Sequence, residues 1–471
     1  MHLLTGATGY VGGRLLRRLE QSGMAVRCLC RNPEALRRRV GPGTEWVQGD
    51  LLQPASLAAA FTGVDTAFYL VHAMHSGGSF EAEEAQAAAN FAGAARAACV
   101  RRIVYLGGLS HGGGLSPHMR SRARTGEILR ASGIPVIEFQ ASIVLGSGSA
   151  SFEMMRALVE RLPVMITPRW VNTAAQPIAI EDVIEYLMAA MRLPLEGNLT
   201  IEIGGRDMSS YVGIMREFAR QRGLRRWILR VPFLSLSLSS RWLTFITPVY
   251  ASIGRFLIES VRTPSVVQDS RAMDLFPIRP MGITQAIERA LANEDRPAAE
   301  TRWSDARVVP APEPGRDLLT NEQTIRVPVT ADQAFTPIRR IGGRTGWYFG
   351  NILWRIRGAI DLMAGGVGMR RGRPDPETPW PGSTLDFWRV EIYEPGRRLR
   401  LFAEMRLPGR AWLEFRAEPD GSSTVLRQIA QFEPGGLAGL LYWYLLSPIH
   451  EVMFRGMLRR IAATSVRRWT K

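Results

Sequence analysis

Three glycines near the N-terminus have the spacing of a phosphate-binding turn. They are Gly6, Gly9 and Gly12, which follow a short apolar run directly and precede a helical pattern directly. Gly6 allows the tight turn, Gly9 lets a pyrophosphate approach the backbone, and Gly12 lets the helix pack close to the strand. The free N–H groups of the helix N-terminus attract phosphate charge. We therefore predict a dinucleotide site with contacts from Gly6, Thr8, Gly9, Tyr10, Val11 and Gly12.

The residues after the next two strands indicate which dinucleotide binds. Arg31 follows a strand at 26–30, where many NAD-binding sheets carry a carboxylate that holds the ribose 2′-hydroxyl. A guanidinium at this position suits a 2′-phosphate, so NADP(H) is the predicted cofactor and NAD(H) the alternative. Asp50, after a strand at 45–48, can accept a hydrogen bond from the adenine amino group. Leu51 and His72 are assigned to the same cofactor site.

These motifs resemble those of the extended and atypical short-chain dehydrogenases, and most closely the NmrA-like branch. The match runs over residues 1–290. It rests on the glycine motif, on Gly-Asp-Leu at 49–51, on Tyr-Leu-Val-His at 69–72 and on Gln-Pro-Ile-Ala-Ile-Glu-Asp-Val at 176–183. The resemblance implies a Rossmann-type sheet that binds a nicotinamide dinucleotide and transfers a hydride.

The catalytic residues of that family have only a partial counterpart in this chain. Active members use a tyrosine and, four residues later, a lysine that lowers the tyrosine pKa, assisted by a serine after the preceding strand. Ser110 corresponds to the serine. The pair reads His118 and Arg122 in one register and Met119 and Ala123 in the other. The chain has no lysine before its last residue, so no lysine elsewhere replaces the missing one.

Two functional hypotheses follow from these residues. In the first, His118 is the acid/base, with a pKa suited to neutral pH, and Arg122 holds the ribose. The protein then acts as an oxidoreductase on a small hydrophobic carbonyl or quinone-like substrate. In the second, the cofactor is bound and never turned over, and the protein is a sensor or an assembly factor with lipid binding in its C-terminal domain.

Alternating strand and helix patterns in the first part of the chain predict an α/β fold with a doubly wound parallel sheet. The predicted strands are 2–4, 25–30, 45–48, 66–71, 102–106 and 136–140, and the helices 11–22, 56–61, 81–98 and 122–131. Residues 175–290 are predicted to form a small substrate lobe, with helices at 182–192, 210–222 and 283–293. The first domain is thus assigned to residues 1–294. Residues 295–320, rich in Pro and Ala, have a linker composition.

From residue 321 the pattern changes to antiparallel strands followed by one long helix. The predicted strands are 323–327, 385–393, 399–405, 411–417 and 424–432, and the helix is 437–465. Residues 321–471 resemble the START/SRPBCC-type helix-grip fold, an α+β domain whose strands curl around a C-terminal helix. That resemblance implies an apolar cavity. The two fused domains resemble a family of bacterial proteins of unknown function.

The net charge of +16 arises almost entirely from arginine. The arginines are scattered and form no stripe interleaved with aromatic residues, so we predict no nucleic-acid partner. The three cysteines have no spacing that suits disulfides or a metal, which favours a cytoplasmic protein without a metal site. The most apolar region, residues 227–258, is interrupted by arginine and proline and predicts at most a peripheral membrane contact. The sequence does not indicate an oligomeric state.

Overall fold

The computed structural model describes residues 1–37, 40–72, 80–109, 111, 115–230, 263–294 and 318–467. The chain divides into two compact units, residues 1–296 with 300–306, and residues 297–299 with 307–471. Each unit contains its own extended sheet. Most of the predicted linker at 295–320 lies outside the described residues, so its role stays a prediction.

The first unit alternates strands and helices along most of its length. Its strands are β1 (His2–Thr5), β2 (Val26–Cys30), β3 (Glu45–Gln48), β4 (Thr66–Tyr69), β5 (Arg102–Gly108), β6 (Val136–Ala141), β7 (Val144–Leu145), β8 (Val164–Thr167), β9 (Ala174–Ala175), β10 (Ile178–Ala179), β11 (Leu199–Ile203), β12 (Ser209–Ser210) and β13 (Trp227–Arg230). Its helices are α1 (Tyr10–Gln21), α2 (Pro33–Arg37), α3 (Ala58–Phe61), α4 (Phe80–Ala97), α5 (Pro117–Arg130), α6 (Ala150–Arg161), α7 (Ile180–Ala190), α8 (Tyr211–Gln221), α9 (Ala272–Leu275) and α10 (Ile283–Glu294).

Seven of these strands form a parallel sheet in the order β11–β6–β5–β4–β1–β2–β3. This order confirms the predicted doubly wound Rossmann-type fold. The order reverses beside β1, which pairs with β2 on one side and β4 on the other. Ligands of such sheets bind at the carboxyl ends of the strands at this reversal. One strand departs from expectation, because β11 lies within the range assigned to the substrate lobe and yet pairs with β6.

Helices pack on both faces of this sheet, and neighbouring residues of one strand supply both cores. In β1, Leu3 belongs to the cluster that includes Phe61 and Phe91, whereas Leu4 belongs to the cluster that includes Phe139 and Tyr186. Successive side chains of a strand point to opposite faces, so a strand buried on both sides is apolar throughout. The packing of each strand between the two cores therefore fixes the positions of the polar residues that follow its carboxyl end.

The lobe that follows has a third core and is tied to the sheet by the motif at 176–183. Its core includes Phe152, Phe218 and Ile287 from α6, α8 and α10. The Asp182 carboxylate accepts a hydrogen bond from the Met281 backbone N–H at 2.7 Å, and burial raises the pKa of Asp182 to about 6. Within the described residues, the role of this motif is therefore structural, because Asp182 holds the backbone at Met281. The region predicted to contact a membrane, 227–258, lies outside the described residues from residue 231 onward.

The second unit is a six-stranded antiparallel sheet with helices. Its strands are β14 (Leu319–Val327), β15 (Thr384–Leu385), β16 (Trp388–Glu394), β17 (Arg398–Ala403), β18 (Gly409–Asp420) and β19 (Ser423–Pro434), and its helices are α11 (Ala331–Arg339), α12 (Asn351–Met363) and α13 (Leu437–Arg467). The sheet order is β14–β19–β18–β17–β16–β15, and α13 packs against β14, β19 and α11. The predicted antiparallel strands and long final helix are confirmed. The helix-grip resemblance and its cavity stay predictions.

The second unit also differs from the sequence pattern in two places. The strand predicted at 385–393 is two strands, because Asp386 adopts a left-handed conformation with φ of 55° between them. Helices α11 and α12 were not predicted. Pro337 inside α11 and Gly358 inside α12 weaken the local helix pattern, and tertiary packing overrides that weakness.

Candidate functional site

The glycine motif forms a turn that admits only residues without a side chain at two positions. Gly6 has φ of +76°, and a Cβ on it would lie 2.5 Å from the carbonyl oxygen of Leu70. A Cβ on Gly12 would collide with the backbone of Gly6. The Gly9 N–H donates to the Gly6 carbonyl at 2.8 Å, and Gly9 is the N-cap of α1. The open N-terminus of α1 and the bare backbone before it fit a pyrophosphate.

Thr8, Tyr10 and Val11 lie in this turn and in the first turn of α1, and all three are half-buried. The guanidinium of Arg14 lies 4.9 Å from the centre of the Tyr10 ring and donates to the carbonyl oxygen of Ser147 at 2.8 Å. This packing joins the start of α1 to the segment after β7. The three residues are where the sequence placed them, beside the glycine turn.

Arg31, Asp50 and Leu51 follow the carboxyl ends of β2 and β3. Arg31 is exposed directly after β2. Asp50 Oδ1 accepts a hydrogen bond from the Leu52 backbone N–H at 3.0 Å, which fixes the turn after β3. The side chain of Leu51 belongs to the apolar core, so a cofactor would meet its backbone. The three residues lie after two adjacent strands on one side of β1.

A partly buried chain of polar side chains begins after β4. His72 Nδ1 contacts the carboxylate of Glu84, and His72 Nε2 lies 3.1 Å from His118 Nδ1. The hydroxyl of Ser121 donates to the second oxygen of Glu84. We call His118, His72 and Glu84 the histidine relay. Because the backbone at Leu70 contacts Gly6, this relay lies close to the glycine turn.

Three separate elements bring the histidine relay together. His72 comes just after β4, Glu84 lies on α4, and His118 lies in the first turn of α5. The predicted helix starts at residue 122 and therefore leaves His118 outside it. That boundary is wrong, because α5 begins at Pro117 and Ser116 Oγ accepts a hydrogen bond from the Met119 N–H.

Burial changes the protonation of both histidines. Desolvation, together with the charges of His72 and Arg122, lowers the pKa of His118 to about 3. Desolvation also lowers the pKa of His72, although its hydrogen bond to Glu84 works in the opposite direction. The expectation of a His118 pKa suited to neutral pH is therefore wrong. His118 is neutral at pH 7 and can take part in proton transfer only as a neutral imidazole coupled to its neighbours.

Arg122 and Ser110 complete the predicted catalytic set. The Arg122 guanidinium donates to the carbonyl oxygen of Leu106 near the carboxyl end of β5 and lies 5.9 Å from the centre of the Tyr105 ring. In the other register Met119 packs against Gly108. The structure thus brings His118 into a polar cluster and gives Met119 an apolar packing role. Ser110 lies outside the described residues.

Glu84 is a site residue that sequence reasoning missed. It is buried on the same face of α4 as Ala87, Ala88 and Phe91. A carboxylate on the apolar face of an alanine-rich helix is a signal available from the sequence, because a buried carboxylate requires a partner. The identity of that partner was not available, since His72 precedes it in a separate segment.

Two protein families match parts of this chain. Residues 6–134 match the family described as NAD(P)H-binding, and residues 314–457 match a protein family of unknown function, DUF2867. Ceramide reductase of Caulobacter vibrioides is 27% identical over 234 residues, which are 49% of this chain and 73% of that protein. Photosystem II assembly factor Ycf39 of Cyanophora paradoxa is 25% identical over 248 residues, 50% of this chain and 73% of that protein.

A solved structure supports the same fold. Triphenylmethane reductase of Citrobacter sp. complexed with NADP(H) is 18% identical, with a TM-score of 0.51 over 61% of this chain and 99% of that one. At that identity the likeness shows the fold alone. Together with the matched family and the glycine turn, it shows that the first unit is an NAD(P)H-binding Rossmann domain.

Proposed function

We propose that this protein is an NADPH-dependent reductase of a carbonyl group in a hydrophobic molecule. The observation that supports this proposal best is the histidine relay near the glycine turn. The relay contains His118, which in one of the two registers takes the tyrosine position of the tyrosine–lysine pair expected in short-chain dehydrogenases. It supplies what that pair supplies, a group that can give a proton to the substrate oxygen.

The chain's own residues are arranged to hold the cofactor along the carboxyl edge of the sheet. The glycine turn and the N-terminus of α1 would hold the pyrophosphate, Arg31 would hold the 2′-phosphate, and Asp50 would hold the adenine. The nicotinamide of NADPH, when bound, supplies the hydride that forms the new C–H bond of the product. The protein must then deliver one proton to the substrate oxygen.

We assign that proton to His118 Nε2, because its other ring nitrogen is engaged with His72. As the Nε2 proton of His118 passes to the substrate oxygen, the Nε2 proton of His72 moves to Nδ1 of His118. His118 is therefore neutral before and after the step. His72 passes from imidazolium to neutral imidazole, and Glu84 keeps its hydrogen bond to His72 Nδ1. A proton from solvent restores His72.

The substrate class is proposed from the names of the relatives. One relative is named ceramide reductase, so its substrate is a lipid. A second, from Streptomyces griseus, is named (4-alkanoyl-5-oxo-2,5-dihydrofuran-3-yl)methyl phosphate reductase and is 42% identical over 106 residues, 22% of this chain and 34% of that protein. Both names describe reduction of alkyl-bearing molecules. A long-chain ketone is therefore the substrate we test first.

The test measures NADPH oxidation by the full chain with a long-chain ketone, a short-chain ketone and a quinone. We expect turnover with the long-chain ketone. His118→Gln is expected to lower the rate about 10²–10⁴-fold with little change in NADPH affinity, because it removes general acid catalysis. His111→Gln, which changes a histidine outside the relay, is the matched control and is expected to act like wild type.

Two results would contradict this proposal. Equal rates in wild type and His118→Gln would show that the relay does not supply the proton. Tight NADPH binding without turnover of any of the three substrates would favour the sensor or assembly function instead.

A further inference from the structure

The first half of α13 exposes an apolar surface to solvent. Its outward side chains are 37% to 84% exposed and recur every three or four residues, which places them on one helix face; they are Leu437, Leu440, Leu441, Tyr444, Leu445, Ile449 and Val452. From Leu437 to His450 the sequence contains no charged residue. A helix on the surface of a monomeric protein in water normally turns polar residues outward, so this half of α13 has the opposite pattern.

Helix α12 has the same pattern. Its outward apolar side chains are 44% to 72% exposed and again lie on one face; they are Ile352, Leu353, Ile356, Ile360 and Met363. Its buried side holds Trp354, Gly358 and Asp361. The apolar stripe of α12 is therefore not the side that packs on its own domain.

The two helices are neighbours within the second unit. Phe349, just before α12, packs against Gly456 of α13, and Gly350 lies against Met453. Burial lowers the pKa of His450 on α13, and the charge of Arg357 on α12 is a second, smaller cause of the same shift. The start of α12 thus lies against the middle of α13, where the exposed stripe of α13 ends. We name the two exposed stripes together the α12–α13 apolar surface.

Arginines accompany this surface. Arg355 is exposed on α12, and Arg357 is half-buried with its guanidinium on the carbonyl oxygen of Arg406. The only acid of α12, Asp361, is buried and accepts the backbone N–H groups of Gly368 and Arg406. The second half of α13 exposes Arg455, Arg459 and Arg460 against one acid, Glu451. The charges that flank the apolar surface are predominantly positive.

We propose that the α12–α13 apolar surface docks on an anionic lipid bilayer. A helix that lies in the plane of a membrane buries an apolar face among acyl chains while arginines beside it contact lipid phosphates. None of the helices in the described ranges has both the length and the apolarity needed to cross a bilayer. A second copy fits less well, because the flanking arginines of two copies would repel each other.

The proposal is independent of the reductase activity, which belongs to the first unit. Docking of the second unit would hold the protein at the phase where a hydrophobic substrate resides. Failure of docking would leave the proposed reaction untouched. NADPH affinity therefore serves as a separate control for an intact first unit.

The experiment is flotation of the full chain with vesicles of pure phosphatidylcholine or of phosphatidylcholine mixed with phosphatidylglycerol. We expect flotation with the mixed vesicles and weaker flotation as salt is raised. The double variant Ile356→Ser and Leu445→Ser is expected to bind at least about tenfold more weakly, because it removes two apolar side chains from the contact. The matched control, Met208→Ser with Met273→Ser, changes two exposed apolar residues of the first unit and is expected to float like wild type.

Three results would overturn the proposal. One is the absence of flotation with either vesicle. Another is flotation that the Ile356→Ser and Leu445→Ser variant leaves unchanged while it keeps wild-type NADPH affinity and thermal stability. The third is a concentration-dependent dimer that this variant abolishes, which would assign the surface to a contact between copies.

Discussion

His72 and His118 have chemistry that depends on their surroundings. A histidine at position 118 was identified from its place in the sequence, and the glycines at 6, 9 and 12 from their spacing, because both are local features. The pKa of His118 was not predictable, since it depends on desolvation and on His72, which lies far away in the sequence. The partner of Glu84 was not predictable for the same reason.

Burial of His118 predicts a loss of stability in acid. Its pKa is about 3 in the folded protein against 6.5 in an unfolded chain, so the unfolded chain binds more protons between these values. Stability therefore falls as pH decreases through this window, by up to about 1.4 kcal/mol per pH unit for this group. Urea unfolding of wild type and of His118→Gln, in steps of about half a pH unit between pH 7 and pH 4, measures how the free energy of unfolding of each protein depends on pH. Parallel curves would contradict the prediction.

Arg31 predicts the choice between the two dinucleotides. Its guanidinium is exposed beside the carboxyl end of β2, and a charge-assisted contact to a 2′-phosphate is worth about 1.5–3 kcal/mol. Arg31→Ala should weaken NADPH binding about tenfold or more and leave NADH binding nearly unchanged. Calorimetry with both cofactors measures this, with Arg96→Ala on α4 as the control. A preference of wild type for NADH, or an equal loss of affinity for both cofactors in Arg31→Ala, would contradict the prediction.

At the scale of secondary-structure elements, the strands that carry the site were predicted correctly and one helix boundary was not. The strands of the parallel sheet were predictable because each is an apolar run followed by a turn. The start of α5 was placed too late, although Ser116 followed by Pro117 is a recognised beginning of a helix. This error of about one turn left His118 outside the predicted helix, whereas it is half-buried in the first turn of α5. The strands of the second unit's sheet were likewise predictable from the sequence. Its ion pairs were not, because they depend on the register between strands.

One of those ion pairs predicts a large effect on stability. Glu404, after β17, is buried between Arg389 and Arg371, and its Oε1 accepts from Arg389 Nε at 3.0 Å. Glu404→Ala leaves two buried guanidinium groups without this carboxylate and should destabilise the second unit by about 3–5 kcal/mol. Glu418→Ala, which removes an exposed partner of Arg427, should cost less than about 1 kcal/mol. Similar losses in urea unfolding of the two variants would contradict this account.

The whole molecule combines two kinds of sheet in one chain. The change from alternating strands and helices to antiparallel strands was visible in the sequence, and the structure has a compact unit on each side of it. The pairing of β11 with β6 was not visible, because a short strand carries no information about its distant partner. The function of the second unit stays a proposal. Its apolar surface can be recognised only from the exposure of side chains in the folded protein, and the sequence does not give that exposure.

The division into units predicts where a protease acts. Residues 295–320 combine proline, alanine and charge, a composition typical of a linker. Limited proteolysis of the full chain should cut there first and release fragments that correspond to residues 1–294 and 321–471. First cleavage within either fragment would show that the units are not independently stable.

The pH dependence of NADPH oxidation tests the histidine relay most directly. The protonated relay is the proton donor, so the single-turnover rate of reduction should fall as pH rises. Its midpoint should lie below 6.5, because burial lowers the pKa of both His72 and His118. Glu84 raises the pKa of His72, so Glu84→Gln should move the midpoint to lower pH. A rate that does not change with pH, or a midpoint that Glu84→Gln leaves in place, would contradict the relay.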